Sequence, residues 1–172
     1  MRLHRFYTPE EIGDKDSVVI RDSALIHQLL SVFRFTVGGQ IILFDNTGFE
    51  YYILISSLEN GEIMGSVISK KESKNTPARE LHLFYSITKK DTFEWVLEKG
   101  TELGVTRFIP ILSDRSEKKN INIERAEKIL IEASEQSGRA TLPVLSQIMN
   151  LEDAINAEFP CFAFDPKGDT FT

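Results

Sequence analysis

A single cysteine, Cys161, leaves no partner for an internal disulfide and no ligand set for a zinc site. It sits in the apolar run 159–164 and reads as a buried core thiol. Histidine is almost as sparse. His4, His27 and His82 lie far apart and share no ligand spacing, so no metal is expected. No apolar run approaches the ~20 residues of a membrane span. Arg2 and Arg5 are followed by no apolar segment, which argues against a secretory signal and makes the cytoplasm the expected compartment. Positive charge is in deficit, with 20 Lys and Arg against 26 Asp and Glu, a net charge of −6. Coating of nucleic acid through bulk charge is thereby disfavoured, although a local basic patch is not. The chain has no P-loop, dinucleotide glycine fingerprint, His-Glu-x-x-His or Gly-x-Ser-x-Gly motif, which weakens a small-molecule α/β enzyme.

What remains is an ordinary globular composition, 41% hydrophobic and 27% charged, with room in 172 residues for one large domain or two small ones. The pattern changes at residues 69–77, a polar run ending at Pro77 that reads as a linker. Before it the chain is mostly β. Residues 40–44, 49–57 and 63–69 are apolar strands separated by Asp45-Asn46-Thr47-Gly48 and by Asn60-Gly61, the latter a hairpin signal. One helix intervenes, capped by Asp22, with Leu25, Ile26, Leu29, Leu30, Val32 and Phe33 forming its apolar face. Several short strands with one helix read as a small β-barrel.

After the linker the rhythm is strand, helix, strand. Residues 81–88 form a strand and Asp91 opens a helix with Glu94 in capping-box position. Phe93, Val96, Leu97, Gly100 and Leu103 mark its stripe, and Gly104 ends it. Residues 105–112 are the next strand, so the unit is a parallel crossover. A further helix runs from Asn122 to Gly138 on Ile123, Ala126, Ile129, Leu130 and Ala133. Residues 151–157 read as a short helix and 161–164 as a strand. The run Phe164-Asp165-Pro166-Lys167-Gly168 enters a loop where α/β sheets bind ligands, and the chain stops four residues later, so a fragment is expected.

Several groups are candidates for chemistry, each with a plain structural alternative. Arg2, Arg5 and Arg34 interleave with Phe6, Tyr7, Phe33 and Phe35, a mixture suited to phosphate contact and base stacking, or to a barrel with a charged surface. Lys89 and Lys90 precede a helix N-terminus, favourable for an anion, or line a solvated loop. Arg115 follows a strand end. Glu135, Gln136 and Arg139 gather around a helix C-terminus, where the helix dipole favours a positive Arg139 without any further role.

With these residues assembled, the chain resembles the RsmE family of 16S ribosomal RNA uridine-N3 methyltransferases. The similarity is carried in order by Arg5-Phe6-Tyr7, His27, Phe33-Arg34, Val37-Gly38 and Phe44 through Gly48. It continues through Lys89, Glu94, Lys99 and Thr101-Glu102-Leu103-Gly104-Val105, then Pro110, Arg115-Ser116 and Arg125. Glu132-Ala133, Glu135-Gln136-Ser137-Gly138-Arg139 and Pro143 complete it. The resemblance implies a PUA-like RNA-binding β-barrel over residues 1–72. It is followed over 77–172 by the first part of a SPOUT-type parallel α/β domain with a trefoil knot. It implies S-adenosylmethionine as cofactor, 16S ribosomal RNA in the small subunit as partner, and a homodimer. The roles implied are RNA contact by Arg2, Arg5, Arg34 and Lys89, and catalysis by Arg115, Glu135, Gln136 and Arg139. The cofactor's edge falls to Asp165, Pro166 and Gly168. The family carries leucine where this chain has Phe33. Its Gly-Pro-Glu-Gly-Gly loop and Glu-Thr-Ala segment are absent and would lie beyond Thr172, so the expected α/β domain is incomplete. The competing expectation is a non-catalytic RNA-binding or ribosome-assembly module.

Overall fold

The computed structural model describes residues 3–59, 61–113, 116 and 120–156. The alternating apolar residues of the first half form a five-stranded sheet. Its members are β1 (Arg5–Tyr7), β2 (Ser17–Ile20), β3 (Gln40–Phe44), β4 (Phe49–Glu59) and β5 (Glu62–Glu72), in the order β1-β3-β4-β5-β2. β1 runs parallel to β3 and every other pair is antiparallel. No ladder joins β1 to β2 among the described residues, so the hydrogen-bonded path is open where a closed barrel was expected. The β4–β5 hairpin turns between Glu59 and Glu62, at the expected Asn-Gly pair, with Gly61 at φ +76°.

β5 continues to Glu72, into the stretch whose polarity reads as a linker. The reason lies on the neighbouring strand. Lys70 Nζ stands 4.6 Å from the Phe49 ring centroid and Lys71 Nζ 4.5 Å from that of Tyr52. The lysine stems cover the aromatic side chains of β4 while their charges stay at the surface.

Between β2 and β3 lies α1 (Ser23–His27), whose first turn is held by the Asp22 carboxylate accepting from Leu25 N at 2.7 Å. The helix then widens into a π-helical turn, Gln28–Val32. Leu25 and Leu29 stay in the core with Phe6, Ile41 and Ile53. The extra residue in the turn rotates the next side chains outward. Val32 is 63% exposed and Phe33 38%, though both were expected on the buried face.

The second half builds on β6 (His82–Ser86), α2 (Lys90–Glu102), β7 (Arg107–Leu112) and α3 (Ile123–Ser137). The short β8 (Val144–Leu145), β9 (Met149–Asn150) and α4 (Leu151–Ile155) come after them. β6 and β7 are parallel, as the crossover pattern requires. β8 and β9 both lie parallel to β7, one at each of its ends. They are too short for a periodic pattern and were not expected. The strand expected at 161–164, with Cys161, lies outside the described residues.

Gly100 lets α2 rest directly on β7, since a Cβ there would fall 2.6 Å from the Phe108 ring. Gly104, at φ +95°, ends α2 as expected. Leu103 lies beyond the last turn and is 82% exposed rather than buried. The expected capping box does not form. The N-cap is Lys89, which has no short oxygen side chain, and Glu94 pairs instead with Arg125 of α3 at 3.2 Å. No helix among the described residues is long and apolar enough to cross a membrane.

Candidate functional site

The C-terminus of α3 is where the two halves meet. Asn122 opens this helix, its side chain accepting from Arg125 N, and Gly138 closes it in the left-handed conformation at φ +76°. A side chain at Gly138 would be strained by the positive φ, and its Cβ, 2.9 Å from Asn75 Nδ2, would push the Asn75 amide aside. Asn75 Nδ2 donates to Ser137 O and Ser73 Oγ to Gly138 O, both at 3.3 Å. Two residues from the end of the first half thus satisfy carbonyls that the helix end leaves open. The Asp45–Gly48 turn docks on the chain just beyond. Asn46 Oδ1 accepts from Leu142 N at 2.7 Å, and Gly48 N donates to Ala140 O.

Glu135 and Arg139 turn inward at this junction. Glu135 Oε1 accepts from Tyr7 N of β1 at 3.0 Å and Oε2 from Gln28 Nε2 of the π-helical turn at 3.3 Å. Burial pushes its carboxyl up to about 6, against the downward pull of those two donors. Arg139 is only 3% exposed. Its Nη1 donates to Thr101 O at 3.0 Å and Val105 O at 2.7 Å, which places the guanidinium on the carbonyl end of α2. Burial lowers its pKa. The Thr-Glu-Leu-Gly-Val and Glu-Gln-Ser-Gly-Arg motifs are therefore two sides of one contact. The resemblance implied catalytic roles for Glu135 and Arg139. In the structure Glu135 is bonded to a backbone amide and to Gln28, and Arg139 Nη1 to two backbone carbonyls while its buried Nε has no partner among the described residues, so both side chains also fasten elements together.

A polar cleft of about 370 Å³ opens beside this joint, walled by Arg5, Tyr52, Asn75, Gln136 and Ser137. Arg5 reaches it from β1, with Nε bonded to Glu50 Oε1 at 2.7 Å. Gln136 is exposed there. Of the residues singled out in the sequence, Arg5 and Gln136 are brought together. Tyr52 and Asn75 were not singled out, since they reach the cleft through strand pairing and a turn that carry no local signature. Arg34 lies elsewhere, exposed after the π-helical turn. Lys89 is exposed at the far end of α2, separated from Thr101 by about 18 Å of helix. Arg2, Arg115, Asp165, Pro166 and Gly168 lie outside the described residues.

A second cleft, of about 690 Å³, lies past the C-terminal end of β6, between the N-terminal ends of α2 and α3. Open α/β sheets bind ligands at such ends. Its walls include Ile87, Phe93 and Ile121, and its charged side chains are Lys90, Glu94 and Arg125. Glu94 is paired with both cations. No cluster of three or more metal-ligating side chains occurs among the described residues.

A parallel α/β unit is thus fastened to a mostly antiparallel sheet, with a polar cleft at the junction. Residues 74–170 match the model of a family described as an RNA methyltransferase domain, and the chain belongs to that family. The chain is similar to proteins named Ribosomal RNA small subunit methyltransferase E. It is 27% identical to the Rickettsia conorii protein over 154 residues, which cover 89% of this chain and 62% of that protein. It is 31% identical to the Bacillus subtilis protein over 137 residues, covering 76% and 53% respectively. A crystal structure of the Neisseria gonorrhoeae ribosomal RNA small subunit methyltransferase E, bound to S-adenosyl methionine, matches with a TM-score of 0.82 at 29% identity. That match covers 92% of this chain and 66% of the other. The chain thus spans between half and two thirds of the length of these three proteins.

Proposed function

We propose that this chain is the RNA-docking and scaffolding part of an enzyme that transfers a methyl group from S-adenosylmethionine to uridine N3 of 16S ribosomal RNA. The observation that carries the reading is the joint itself. Glu135 and Arg139, from the motif that best marks the resemblance, lock the sheet and α2 around one helix end and leave Arg5 and Gln136 facing a shared cleft. The similarity to proteins named Ribosomal RNA small subunit methyltransferase E supplies the reaction class.

S-adenosylmethionine, when bound, supplies a methyl group already activated by its sulfonium. Among the described residues, the larger cleft offers it apolar walls in Ile87, Phe93 and Ile121, while the one carboxylate there, Glu94, is already paired with Lys90 and Arg125. Asp165, Pro166 and Gly168 are proposed at the cofactor's edge. The tasks proposed for the described residues are binding and alignment, which contribute much of the acceleration when the donor is already activated. Arg5 and Arg34, with Arg2, hold the RNA backbone, Lys89 adds a contact at the α2 end, and Gln136 faces the target nucleotide. Arg115 is proposed near the target base, where it stabilises charge on the deprotonated imide. The enzyme acts in the cytoplasm as a homodimer, with the five-stranded sheet as a PUA-like RNA-binding half and the α/β half as the first part of a SPOUT domain.

The test is incubation of the protein with methyl-labelled S-adenosylmethionine and small ribosomal subunits, followed by mass spectrometry of the nucleosides. The expected product is 3-methyluridine in 16S ribosomal RNA. RNA binding without any methyl transfer would support the assembly-module reading instead.

A further inference from the structure

β1 has two faces, and the one turned away from the joint holds side chains that methyl transfer leaves unused. Arg5 points to the cleft, whereas His4 and Phe6 point to the opposite side, as strand alternation demands. There they meet Phe33 and Phe35. The His4 and Phe33 ring centroids are 4.6 Å apart. Phe33 stands edge-on to Phe6 at 5.1 Å, and nearly parallel to Phe35 at 6.2 Å and 25°. Phe6 is 1% exposed and forms a floor, while Phe33 is 38% exposed and His4 is also exposed, so these two form a rim.

This shelf is held in place. Phe33 N donates to Gln28 O and Phe35 N to Leu29 O, both at 3.0 Å, and Gly38 N donates to Ile55 O at 2.8 Å. Between the two phenylalanines Arg34 adopts φ +56°, a left-handed conformation that costs free energy in a residue with a side chain. It persists because the flanking bonds fix the chain on both sides. The Arg34 side chain is exposed and makes no hydrogen bond or ion pair with the described residues. In a chain of net charge −6, a guanidinium unpaired among the described residues and carried between two partly open aromatic residues complements a phosphate next to a base.

We propose that the His4–Phe33–Phe35 shelf stacks an unpaired nucleobase of the RNA, with Arg34 on an adjoining phosphate. The inference rests on RNA as the substrate and adds which form of RNA this face selects. A paired A-form helix hides its base faces in the stack, so a ring shelf engages nucleotides only where they are splayed out.

The test is fluorescence anisotropy of the whole chain across a salt series. Its probes are a labelled unstructured RNA of about a dozen nucleotides and a duplex of the same length. Phe33→Leu keeps apolar bulk on a partly exposed site and removes only the ring, and Phe33→Tyr restores a ring. The expected result is an affinity for the unstructured RNA about tenfold weaker in Phe33→Leu and recovered in Phe33→Tyr, with duplex affinity unchanged. Arg34→Ala should reduce the salt slope by about one phosphate contact, whereas Phe33→Leu should leave the slope alone. Unchanged binding by Phe33→Leu, or an equal loss on both RNAs, overturns the shelf while RNA binding itself stands. Binding of neither RNA by the parent chain overturns both readings. Self-association of the parent chain that Phe33→Leu abolishes in sedimentation assigns the face to a second copy and also overturns the proposal.

Discussion

A carboxylate and a guanidinium within one short motif invite a catalytic reading, and at residue scale the structure shows each of them also holding elements together. Glu135 binds a backbone amide of β1 and the Gln28 side chain in a place dry enough to push its carboxyl up to about 6 from the ordinary 4.5. The folded state therefore holds this proton more tightly than the unfolded chain. Its contribution to stability is fully present below about pH 4.5 and is lost as pH rises through 6. The shift corresponds to about 2 kcal/mol. Urea titrations should show Glu135→Gln gaining stability relative to the parent between about pH 4.5 and 7.5, and a constant difference would refute the linkage. Arg139→Ala should lower stability by about 2–4 kcal/mol, because two carbonyls lose their donor and a buried volume empties. Arg139→Met separates the terms, since it refills the volume and leaves only the missing donors. The sequence places both residues at a helix end and allows the dipole reading for Arg139. It could not show that the acceptors are Thr101 O and Val105 O, because nothing local to residue 139 reports where another helix stops.

At the scale of elements, glycine positions and helix boundaries decide what faces what. Gly138 sits at a positive φ, and an added Cβ would displace the Asn75 amide, so Gly138→Ala should cost about 1–3 kcal/mol by chemical denaturation. Gly100→Ala should also destabilise, although alanine is the better helix former by about 1 kcal/mol, because the Phe108 ring fills the space. A stabilised Gly100→Ala would mean that α2 can lift off β7 without penalty. The helical stripe in 22–33 is plain in the sequence, and its first turns are as expected. Its last turn departs because the π-helical widening is invisible to a pattern of fixed period, and that departure is what brings Phe33 to the surface. β8 and β9 escape notice for a different reason. Two-residue strands carry no alternation and exist only because β7 offers a free edge.

For the whole molecule, the question is whether the two halves behave as one. They are stitched by Glu135 to β1, by Ser73 and Asn75 to the end of α3, and by Asn46 to Leu142. Trp95 is the single tryptophan and lies on α2, so its fluorescence reports the α/β half, while far-ultraviolet circular dichroism reports both. In the parent chain the two urea transitions should coincide. The pair Asn46→Gly and Asn75→Ala keeps the turn at 46 able to adopt positive φ and removes two stitches. Its transitions should separate, with a total loss of about 1–3 kcal/mol. Coincident transitions in the pair would mean that apolar contact, not these hydrogen bonds, couples the halves.

The short strands β1, β2, β8 and β9 aside, the sequence by itself determined the longer strands and helices, where the crossover lies, and which glycines end α2 and α3. Each of these depends on periodicity and backbone preference within a few neighbouring residues. It also carried enough paired motifs to place the chain among RNA methyltransferase domains. Only the tertiary structure decided that Glu135 and Arg139 look inward while Arg5 and Gln136 share a cleft. It alone turned the polar run at 70–72 into strand and left Phe33 outside the core. Those outcomes depend on contacts between residues remote in sequence, and local pattern holds no record of which distant group satisfies a buried charge or an open helix end.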